Sequence, residues 1–308
     1  MNGNRTPPRV LVVGGLNEDI HLTVSAPPAD DGTALVTSWT IGDGGHAGNC
    51  AAGIAALGGR AGVLAAVGSD EAADRLIDGL RATGVDVSAI VRVAGVPSGR
   101  VVIPTFPDHR AMLMYRGAND ALLAQPGMRV DLAGYDAVVI LDPSRAAVVA
   151  VCAAAATSGV PVFWNPGGLH SQADWLLPTA SAATALLMNR VEFADAFGRR
   201  PDPVGITAAR VRARVSQLVV TLGEDGALAC TADGLYRAPA MPVGVVDETG
   251  AGDAFTAAYV LGYLATGDMG IAIRSGCAAG ALAVNRSGAR AALPSLAELI
   301  SSVERPTA

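Results

Sequence analysis

Residues 245–255 read Val245-Val246-Asp247-Glu248-Thr249-Gly250-Ala251-Gly252-Asp253-Ala254-Phe255 and lead into an apolar helical run that continues to Leu264. The glycines at 250 and 252 permit a tight turn that exposes consecutive backbone N–H groups. The following helix directs its positive end to the same place, so the stretch predicts an anion-binding hole without any lysine. Asp253 lies in the first helical turn, where its carboxylate can take a proton from an attacking hydroxyl, as phosphoryl transfer requires. The same residues could instead form only a turn, with Asp253 stabilising the helix dipole.

A second glycine-rich stretch, Gly42-Asp43-Gly44-Gly45-His46-Ala47-Gly48-Asn49, also runs into a helical segment. Glycines beside an amide side chain suit close approach of the backbone to a neutral polyol, although a structural turn has the same pattern. By contrast, Val12-Val13-Gly14-Gly15 lacks the full GxGxxG spacing and has no acidic residue after a second strand. This argues against a dinucleotide-binding oxidoreductase.

Short β-branched runs alternate with longer alanine-rich segments, a pattern typical of βαβ units and a buried parallel sheet. Helices are predicted to begin near Gly48, Ser69, Ser144, Gly205, Gly252 and Asp268, the second of them capped by Ser69. The fold class is therefore α/β, with a doubly wound, mostly parallel sheet flanked by helices. Its strands are predicted at residues 9–14, 62–67, 136–141, 160–164, 185–188 and 218–222.

Two stretches, residues 19–41 and 93–115, do not follow this strand–helix alternation. Thr, Val, Trp and Met occur there at nearly alternate positions, and Pro and Asp-Gly mark turns between them. They have the pattern of antiparallel strands, so we expect a small β-sheet lid beside the main sheet. No internal repeat or low-complexity linker divides the sequence. We therefore predict a single domain over residues 1–308 that includes the lid.

The chain has 308 residues, 51% of them hydrophobic, and a formal net charge of −6. Its 22 basic residues are all arginine, which excludes sites that need a lysine amine, such as a Walker-A loop or a Schiff base. The negative charge without a basic face argues against nucleic acid as a partner. The cysteines are widely spaced, and neither a membrane span nor a secretory signal is evident, which predicts a cytoplasmic protein with no membrane partner.

In their order and spacing, the two glycine-rich motifs resemble the two signatures of the PfkB family of carbohydrate kinases, which have the ribokinase-like fold. The first signature matches Gly44, Gly45 and Asn49. The family's Asp-Thr-x-Gly-Ala-Gly-Asp region matches residues 247–253, with Glu248 between Asp247 and Thr249. Three shorter motifs agree, namely Asn17-Glu18-Asp19, Asn189-Arg190-Val191-Glu192 and Thr221-Leu222-Gly223-Glu224-Asp225-Gly226. The resemblance covers nearly the whole chain.

The resemblance implies an ATP-dependent phosphotransferase that acts on an alcohol group. Asp253 would be the general base, and the amides of Gly250, Ala251 and Gly252 would hold the developing charge of the transferring phosphate. The sugar hydroxyls would be bound by Asn17, Asp19, Gly44, Gly45, Asn49 and Asp142. The ATP site would be lined by Asn189, Thr221, Gly223 and Gly226.

The resemblance also implies metal ions. Asn189 and Glu192 would organise Mg²⁺, through water, since magnesium keeps part of its hydration shell; Glu192 could instead be a solvated carboxylate at a helix start. Many family members bind K⁺ beside the anion hole, and the matching groups here are Asp247, Thr249, Ala283, Arg286 and Gly288. Ala292 follows where ribokinases place a hydroxyl, so a K⁺ site would lack one ligand and be weaker or filled by water.

Two departures from ribokinases concern the substrate. Ribokinases read Gly-Gly-Lys-Gly-Ala-Asn at the first signature, whereas this chain has His46-Ala47-Gly48 before Asn49, and Asp142 replaces a longer Glu. Arg116 could meet a carboxylate or phosphate on the substrate, or lie on the surface.

We expect phosphorylation of a hydroxymethyl group on a sugar or sugar-like molecule. A nucleoside kinase of the same family is the alternative. A sugar-binding or regulatory protein without catalysis would be favoured only if Asp253 or the Gly250–Gly252 turn were missing. A homodimer formed through exposed lid edges is one possible assembly.

Overall fold

A computed structural model describes residues 6–124 and 129–303, so the predicted domain over 1–308 extends beyond the described part at both ends and at 125–128. Fourteen strands are described: β1 (Arg9–Gly14), β2 (Asn17–Val24), β3 (Val36–Gly44), β4 (Arg60–Leu64), β5 (Ala66–Val67), β6 (Val91–Arg92), β7 (Gly99–Thr105), β8 (Leu113–Tyr115), β9 (Ala137–Leu141), β10 (Val162–Asn165), β11 (Ala185–Asn189), β12 (Gln217–Thr221), β13 (Ala227–Cys230) and β14 (Leu235–Ala238).

The main sheet has eight strands in the order β14-β13-β12-β11-β10-β9-β1-β4. The six strands from β12 to β4 are parallel, and β13 and β14 add an antiparallel edge. Each predicted strand is present, but the one expected at residues 62–67 divides into β4 and β5, because β5 leaves the sheet to pair with β6. The predicted mostly parallel α/β sheet is confirmed.

The described helices are α1 (His46–Ala56), α2 (Glu71–Ala82), α3 (Arg145–Ser158), α4 (Leu176–Ala180), α5 (Arg190–Phe197), α6 (Pro203–Ala213), α7 (Ala251–Thr266), α8 (Met269–Val284) and α9 (Leu296–Val303). The prediction that Ser69 caps the second helix is wrong. Asp70 is the cap, and its carboxylate accepts from the Ala73 amide at 3.1 Å. Asp70 also accepts a hydrogen bond from the Ser98 hydroxyl at 2.6 Å, a distant contact that local sequence does not reveal.

Helices cover both faces of the main sheet. Because successive strand residues point to opposite faces, Val10 and Val12 of β1 pack against α1, α2, α7 and α8, while Leu11 and Val13 pack against α3 to α6. The parallel strands all end at one edge, and α7 begins beside that edge. Within residues 6–124 and 129–303, the helices are too short or too polar to cross a membrane.

A separate four-stranded sheet has the order β3-β2-β7-β8. Its hairpins pair antiparallel, and β2 pairs parallel with β7. This is the small sheet expected from residues 19–41 and 93–115, although its strands begin at Asn17 and extend to Gly44. Asn17 and Gly44 are register partners, so the sheet brings two predicted sugar contacts together.

Candidate active site

The proposed base, Asp253, is a buried carboxylate in the first turn of α7. Its Oδ1 lies 2.9 Å from Nδ1 of His46, and its Oδ2 accepts a hydrogen bond from the Asn49 amide at 3.0 Å. His46 and Asn49 belong to the first turn of α1, so the two glycine-rich motifs meet at this carboxylate. Both oxygens of Asp253 are thereby fixed in position.

His46 was not among the residues predicted for the site. Its imidazole is half-exposed to the cavity, yet the negative charge of Asp253 raises the pKa of His46 to about 10, against the cost of burial. Asp142 and Glu192 raise it further. The imidazole is therefore a cation at neutral pH, located where ribokinases carry a lysine.

The turn before α7 has the geometry expected of an anion hole. Gly250 has φ = 80°, and a Cβ at this position would lie 3.0 Å from the backbone of Ala289, so a side chain is disfavoured twice. The amides of Gly250 and Gly252 stand at the positive end of a sixteen-residue helix. The Ala251 amide, by contrast, already donates to the Glu248 carbonyl at 3.3 Å.

The predicted sugar-binding loop packs tightly on β2. A Cβ at Gly44 would lie 2.0 Å from an Asp19 carboxylate oxygen. Gly45 has φ = 90°, and a Cβ there would lie 2.5 Å from the Gly15 carbonyl oxygen. Asp19 is buried, and this burial raises its pKa to about 6 even though Arg290 and His46 lower it. Glycine at both positions therefore brings Asp19 against the loop.

Asn17 is held by a residue that the motifs did not single out. Asn119 donates to the Asn17 side-chain oxygen at 2.8 Å and exchanges hydrogen bonds with the backbone of Leu16 at 3.0 and 3.2 Å. These contacts fix the Asn17 side-chain oxygen on Asn119.

Asp142 follows β9 in a left-handed conformation with φ = 46°. Arg116 donates to its carboxylate at 3.1 Å and to its carbonyl at 3.3 Å, so Arg116 is mostly buried rather than a free surface side chain. His170 lies 3.8 Å from the other oxygen of Asp142, and within the described residues neither atom has a hydrogen-bond partner. Burial raises the pKa of Asp142 and lowers that of His170.

The predicted nucleotide and magnesium residues lie at the ends of β11 and β12. Asn189 caps α5 through its side-chain oxygen, and the Glu192 carboxylate accepts a hydrogen bond from the Asn189 backbone N–H at 2.9 Å, which forms a capping box. Burial raises the pKa of Glu192. After Thr221, the Leu222 amide donates to the Gly226 carbonyl at 2.7 Å and closes a tight turn.

Gly223 and Gly226 provide the backbone of that turn, with φ of 66° and 87°. A Cβ at Gly226 would lie 2.0 Å from the Ala238 carbonyl oxygen.

The predicted potassium ligands come from two segments, residues 247–249 and 283–288, that contact each other. The Asp247 carboxylate accepts from Thr249 and, at 3.0 Å, from the Gly288 amide. These hydrogen bonds outweigh burial and hold the pKa of Asp247 below its usual value. The carbonyl oxygens of Ala283 and Gly288 accept backbone hydrogen bonds from Arg286 and Ala292.

A cavity of about 260 Å³ lies between the turn before α7, the ends of β11 and β12, and the small sheet. Of the predicted residues, it is lined by Asn189, Glu192, Thr221, Thr249, Gly250, Gly252 and Asp253. Ile103 of β7 and Arg110 and Met112 of the β7–β8 connection also line it, so this hairpin covers the cavity as a lid would. Asn17, Asp19, Gly44, Gly45, Asn49, Asp142 and Arg116 lie outside this lining, as do Gly223 and Gly226.

Residues 7–296 match the model of the pfkB family of carbohydrate kinases. The chain belongs to this family. An ATP-dependent ribose-1-phosphate kinase of Halopiger xanaduensis is 32% identical over 285 residues, which covers 92% of this chain and 94% of that protein. A deoxyribokinase of Salmonella typhi is 27% identical over 297 residues, covering 93% and 96%.

Solved structures agree with the fold of this family member. Arabidopsis thaliana ribokinase, complexed with ribose and ATP, has a TM-score of 0.89 at 23% identity and covers 97% of this chain and 100% of that one. A Burkholderia thailandensis nucleoside kinase in complex with inosine has a TM-score of 0.82 at 25% identity and covers 96% of each chain. The predicted ribokinase-like fold is confirmed, as is the enzyme class, because PfkB kinases are phosphotransferases that act on hydroxyl groups with ATP.

Sequence reasoning missed three cationic side chains of the site. His46 could have been found, because it replaces the lysine of the ribokinase signature. Arg110 of the lid lies 3.5 Å from the Thr249 hydroxyl and 3.9 Å from the carboxylates of Asp247 and Glu248. Arg290 contacts Asn49 from 241 residues away and belongs to none of the motifs.

Proposed function

We propose that this PfkB kinase transfers the γ-phosphate of ATP to a hydroxymethyl group of a sugar, with Asp253 as the general base. The observation that carries the proposal is the placement of the Asp253 carboxylate. It is buried, held by His46 and Asn49, and opens into the same cavity as Gly250 and Gly252. A proton acceptor beside an anion hole is the arrangement that phosphoryl transfer to an alcohol needs.

In the proposed reaction, the sugar hydroxyl loses its proton to Asp253 as its oxygen attacks the γ-phosphorus. The amides of Gly250 and Gly252 hold the charge that develops on the phosphate, joined by Ala251 once its bond to Glu248 loosens. Such preorganised donors contribute about 2.7–4 kcal/mol each in comparable sites. The His46 cation supplies positive charge in a chain without lysine.

The sugar itself is proposed to lie between the lid and α1. Asn17, Asp19, Gly44, Gly45 and Asn49 provide hydrogen-bonding groups there. The side chains of Asn17, Asp19 and Asn49 are polar and buried. Buried polar groups need hydrogen-bond partners in place of water, and sugar hydroxyls can provide them. The ATP side is proposed to lie at Asn189, Thr221 and the Gly223–Gly226 turn.

Magnesium is proposed to bind through Glu192 and water. Glu192 suits this role because it is a buried carboxylate that lines the cavity, and its Oε1 is not used by the capping box. Among the described residues there is no cluster of three His, Cys, Asp or Glu side chains able to hold a metal, so phosphate and water oxygens would complete the shell, as Mg²⁺ prefers. When bound, the ion would neutralise charge on the phosphates; Asn189 would orient Glu192.

Activation by potassium is proposed to be weak. Asp247 already accepts hydrogen bonds from Thr249 and Gly288, and Ala292 is fully buried without an oxygen to offer. No step of the proposed reaction depends on the ion. Turnover in KCl and NaCl at equal ionic strength tests this directly, and a large gain in KCl would contradict it.

Pentoses are the proposed class of acceptor, and a phosphorylated pentose is the second candidate. The phosphorylated pentose is favoured by the mostly buried guanidinium of Arg116, which lies beside Asp142. This guanidinium can pair with a phosphate at the far end of the sugar. The similarity to a protein named ribose-1-phosphate kinase agrees with it.

A panel of acceptors tests the proposal. The protein is incubated with MgATP and ribose, deoxyribose, ribose 1-phosphate, fructose or inosine, and ADP release is measured against the Asp253→Asn variant. We expect release above the variant's level with at least one pentose or pentose phosphate. Inosine alone as acceptor would make the protein a nucleoside kinase, and no acceptor above the variant's level would overturn the proposal.

A further inference from the structure

Arg290 is a buried cation at the base of the proposed sugar pocket, with 12% of its side chain exposed. Each of its nitrogens has a different acceptor. Nε donates to the Asn49 side-chain oxygen at 3.3 Å, Nη1 to the Asp43 carboxylate at 3.3 Å, and Nη2 to the Gly44 carbonyl at 2.9 Å. One guanidinium thus holds the two ends of the loop that precedes α1.

Arg290 and Asp253 together fix the direction in which the Asn49 amide points. Because Arg290 can only donate, the oxygen of the amide faces Arg290 and its NH₂ group faces Asp253, to which it donates at 3.0 Å. Without Arg290, the Asn49 oxygen loses the donor that fixes it, and the amide is held only at its NH₂ end by Asp253. Arg290 therefore acts on the base through Asn49.

The guanidinium fits because residue 48 has no side chain. A Cβ at Gly48 would lie 2.2 Å from Nη2 of Arg290 and 3.1 Å from its Cζ. Ribokinases read Ala at the corresponding position of the signature, so this glycine is one of the departures of this chain from them.

We propose that Arg290 is a positioning residue of the sugar pocket, orienting Asn49 and the Gly44 carbonyl, and that Gly48 is the position that admits its guanidinium. The inference rests on the function proposed above. It adds a residue that none of the family motifs contains.

The charge of Arg290 supports the same role. Three carboxylates, those of Asp19, Asp43 and Asp253, act on its charge, and His46 is a second cation that acts on Asp19. Burial raises the pKa of Asp19 to about 6, and Arg290 is the largest influence that lowers it. Removing Arg290 should raise the pKa of Asp19 further and leave less of it ionised at neutral pH.

A double-mutant cycle tests the proposal with Arg290→Met, Gly48→Ala and the combined variant. Methionine keeps the apolar stem and removes every donor. We expect Arg290→Met to raise the KM for the sugar by about tenfold to a hundredfold, since hydrogen bonds to a charged group are lost. The KM for ATP should stay near that of wild type, and the acidic limb of the kcat/KM profile should move to higher pH. A merely structural role would not separate these readouts.

Gly48→Ala should act in the same direction because its methyl displaces the guanidinium. In the Arg290→Met background, Gly48→Ala should raise the sugar KM little further. It then requires only a shift of the flexible Leu16 side chain, whose Cδ2 would lie 2.9 Å from the new Cβ. Gly48→Ala also leaves every charge in place, so it tests the proposal even if Arg290→Met does not fold. Arg212→Met, an exposed arginine on α6, is the matched control.

The inference is overturned if Arg290→Met keeps the sugar KM within twofold of wild type. It is also overturned if Gly48→Ala keeps a wild-type sugar KM, or costs as much in the Arg290→Met background as alone. Failure of the proposed function is a different result, namely a wild-type protein that phosphorylates none of the acceptors.

Discussion

Nδ1 of His46 lies 2.9 Å from Oδ1 of Asp253, and this contact joins the first turns of α1 and α7 across 207 residues of sequence. The two helices meet with their positive ends directed at one cavity. His46 and Asn49 each contact one oxygen of this carboxylate, so the Asp253 side chain is held in a single orientation. The placement is the one that the proposed proton transfer needs.

Asp253→Asn should remove most phosphoryl transfer while leaving the fold intact. Asparagine has nearly the same shape, and its oxygen can still accept from Asn49 or His46, but it cannot take a proton. General-base help is typically worth about 10²–10⁴-fold, so kcat should fall within that range. ATP affinity by calorimetry should change little, and the exposed substitution Asp233→Asn serves as control. A variant with more than a tenth of wild-type turnover would remove Asp253 from its role as the base.

His46 should titrate well above an ordinary imidazole. Asp253 raises the pKa of His46 to about 10, whereas an unfolded chain has about 6.5. Because the folded value is the higher one, the stabilisation is complete below pH 6.5 and is lost as pH rises through 10. NMR titration measures this, with His46→Gln to assign the resonance. In Asp253→Asn the midpoint should fall by several units; an unchanged midpoint would contradict the cause.

Glu192→Gln separates magnesium binding from helix capping. In the wild type, Oε2 of Glu192 accepts from the Asn189 backbone N–H at 2.9 Å. The glutamine oxygen can accept the same hydrogen bond, so the cap of α5 should persist. The lost carboxylate should raise the Mg²⁺ concentration needed for half-maximal turnover by about tenfold or more, as removal of one charged ligand contact implies. Thermal unfolding is the control: Glu192→Ala should lower the Tm more than Glu192→Gln. Equal Mg²⁺ requirements in wild type and Glu192→Gln would show that the carboxylate serves only the helix.

Sugar binding should order the lid, and ATP alone should not. Asp19 and Gly44 lie on the lid strands β2 and β3, whereas Asn189 and Thr221 end strands of the main sheet. A kinase gains from closing a cover over the acceptor, because water competes for the γ-phosphate. Hydrogen exchange of residues 19–41 and 93–115 with each ligand separately measures the effect. Full protection by ATP alone, with no further change on adding sugar, would mean that these strands do not close over the sugar.

The lid edges should also support a homodimer. Trp39 on β3 and Leu113 on β8 expose 64% and 61% of their surface, and Met112 beside β8 exposes 59%. Large apolar side chains in this number on one small sheet are typical of an interface. Sedimentation should show a dimer for the wild type and a larger monomer fraction for Trp39→Ser combined with Leu113→Ser. Val204→Ser, which removes an exposed apolar side chain on α6, is the control. A wild-type monomer at micromolar concentration would contradict the interface.

Local sequence predicted the elements whose signals are local. The hydrophobic runs gave the parallel strands, and the glycine turns gave the starts of α1 and α7. The errors came where distant residues decide the structure. Asp70, not Ser69, caps α2, and Asp70 also accepts a hydrogen bond from Ser98. Strand β5 pairs with β6 instead of continuing in the main sheet. Neither partner can be recognised from the neighbouring residues.

The site divides in the same way. Asp253 and Gly250–Gly252 lie within one motif, so their proximity follows from a single helix start. Arg290 has ordinary neighbours, and its importance depends on the space left by Gly48. The only signal in the sequence was the glycine itself, at a position where ribokinases have alanine.

The contacts of Gly288 and Arg290 separate completion of the sheet from completion of the site. The last described strand of the main sheet, β14, ends at Ala238, but the contacts that secure Asn49 and Asp247 come from residues 288–290. Damage confined to this short segment, by proteolysis or substitution, should therefore leave the sheet folded while Asn49 and Asp247 lose hydrogen bonds. We expect phosphoryl transfer to fail before the fold does, so loss of activity would precede loss of structure.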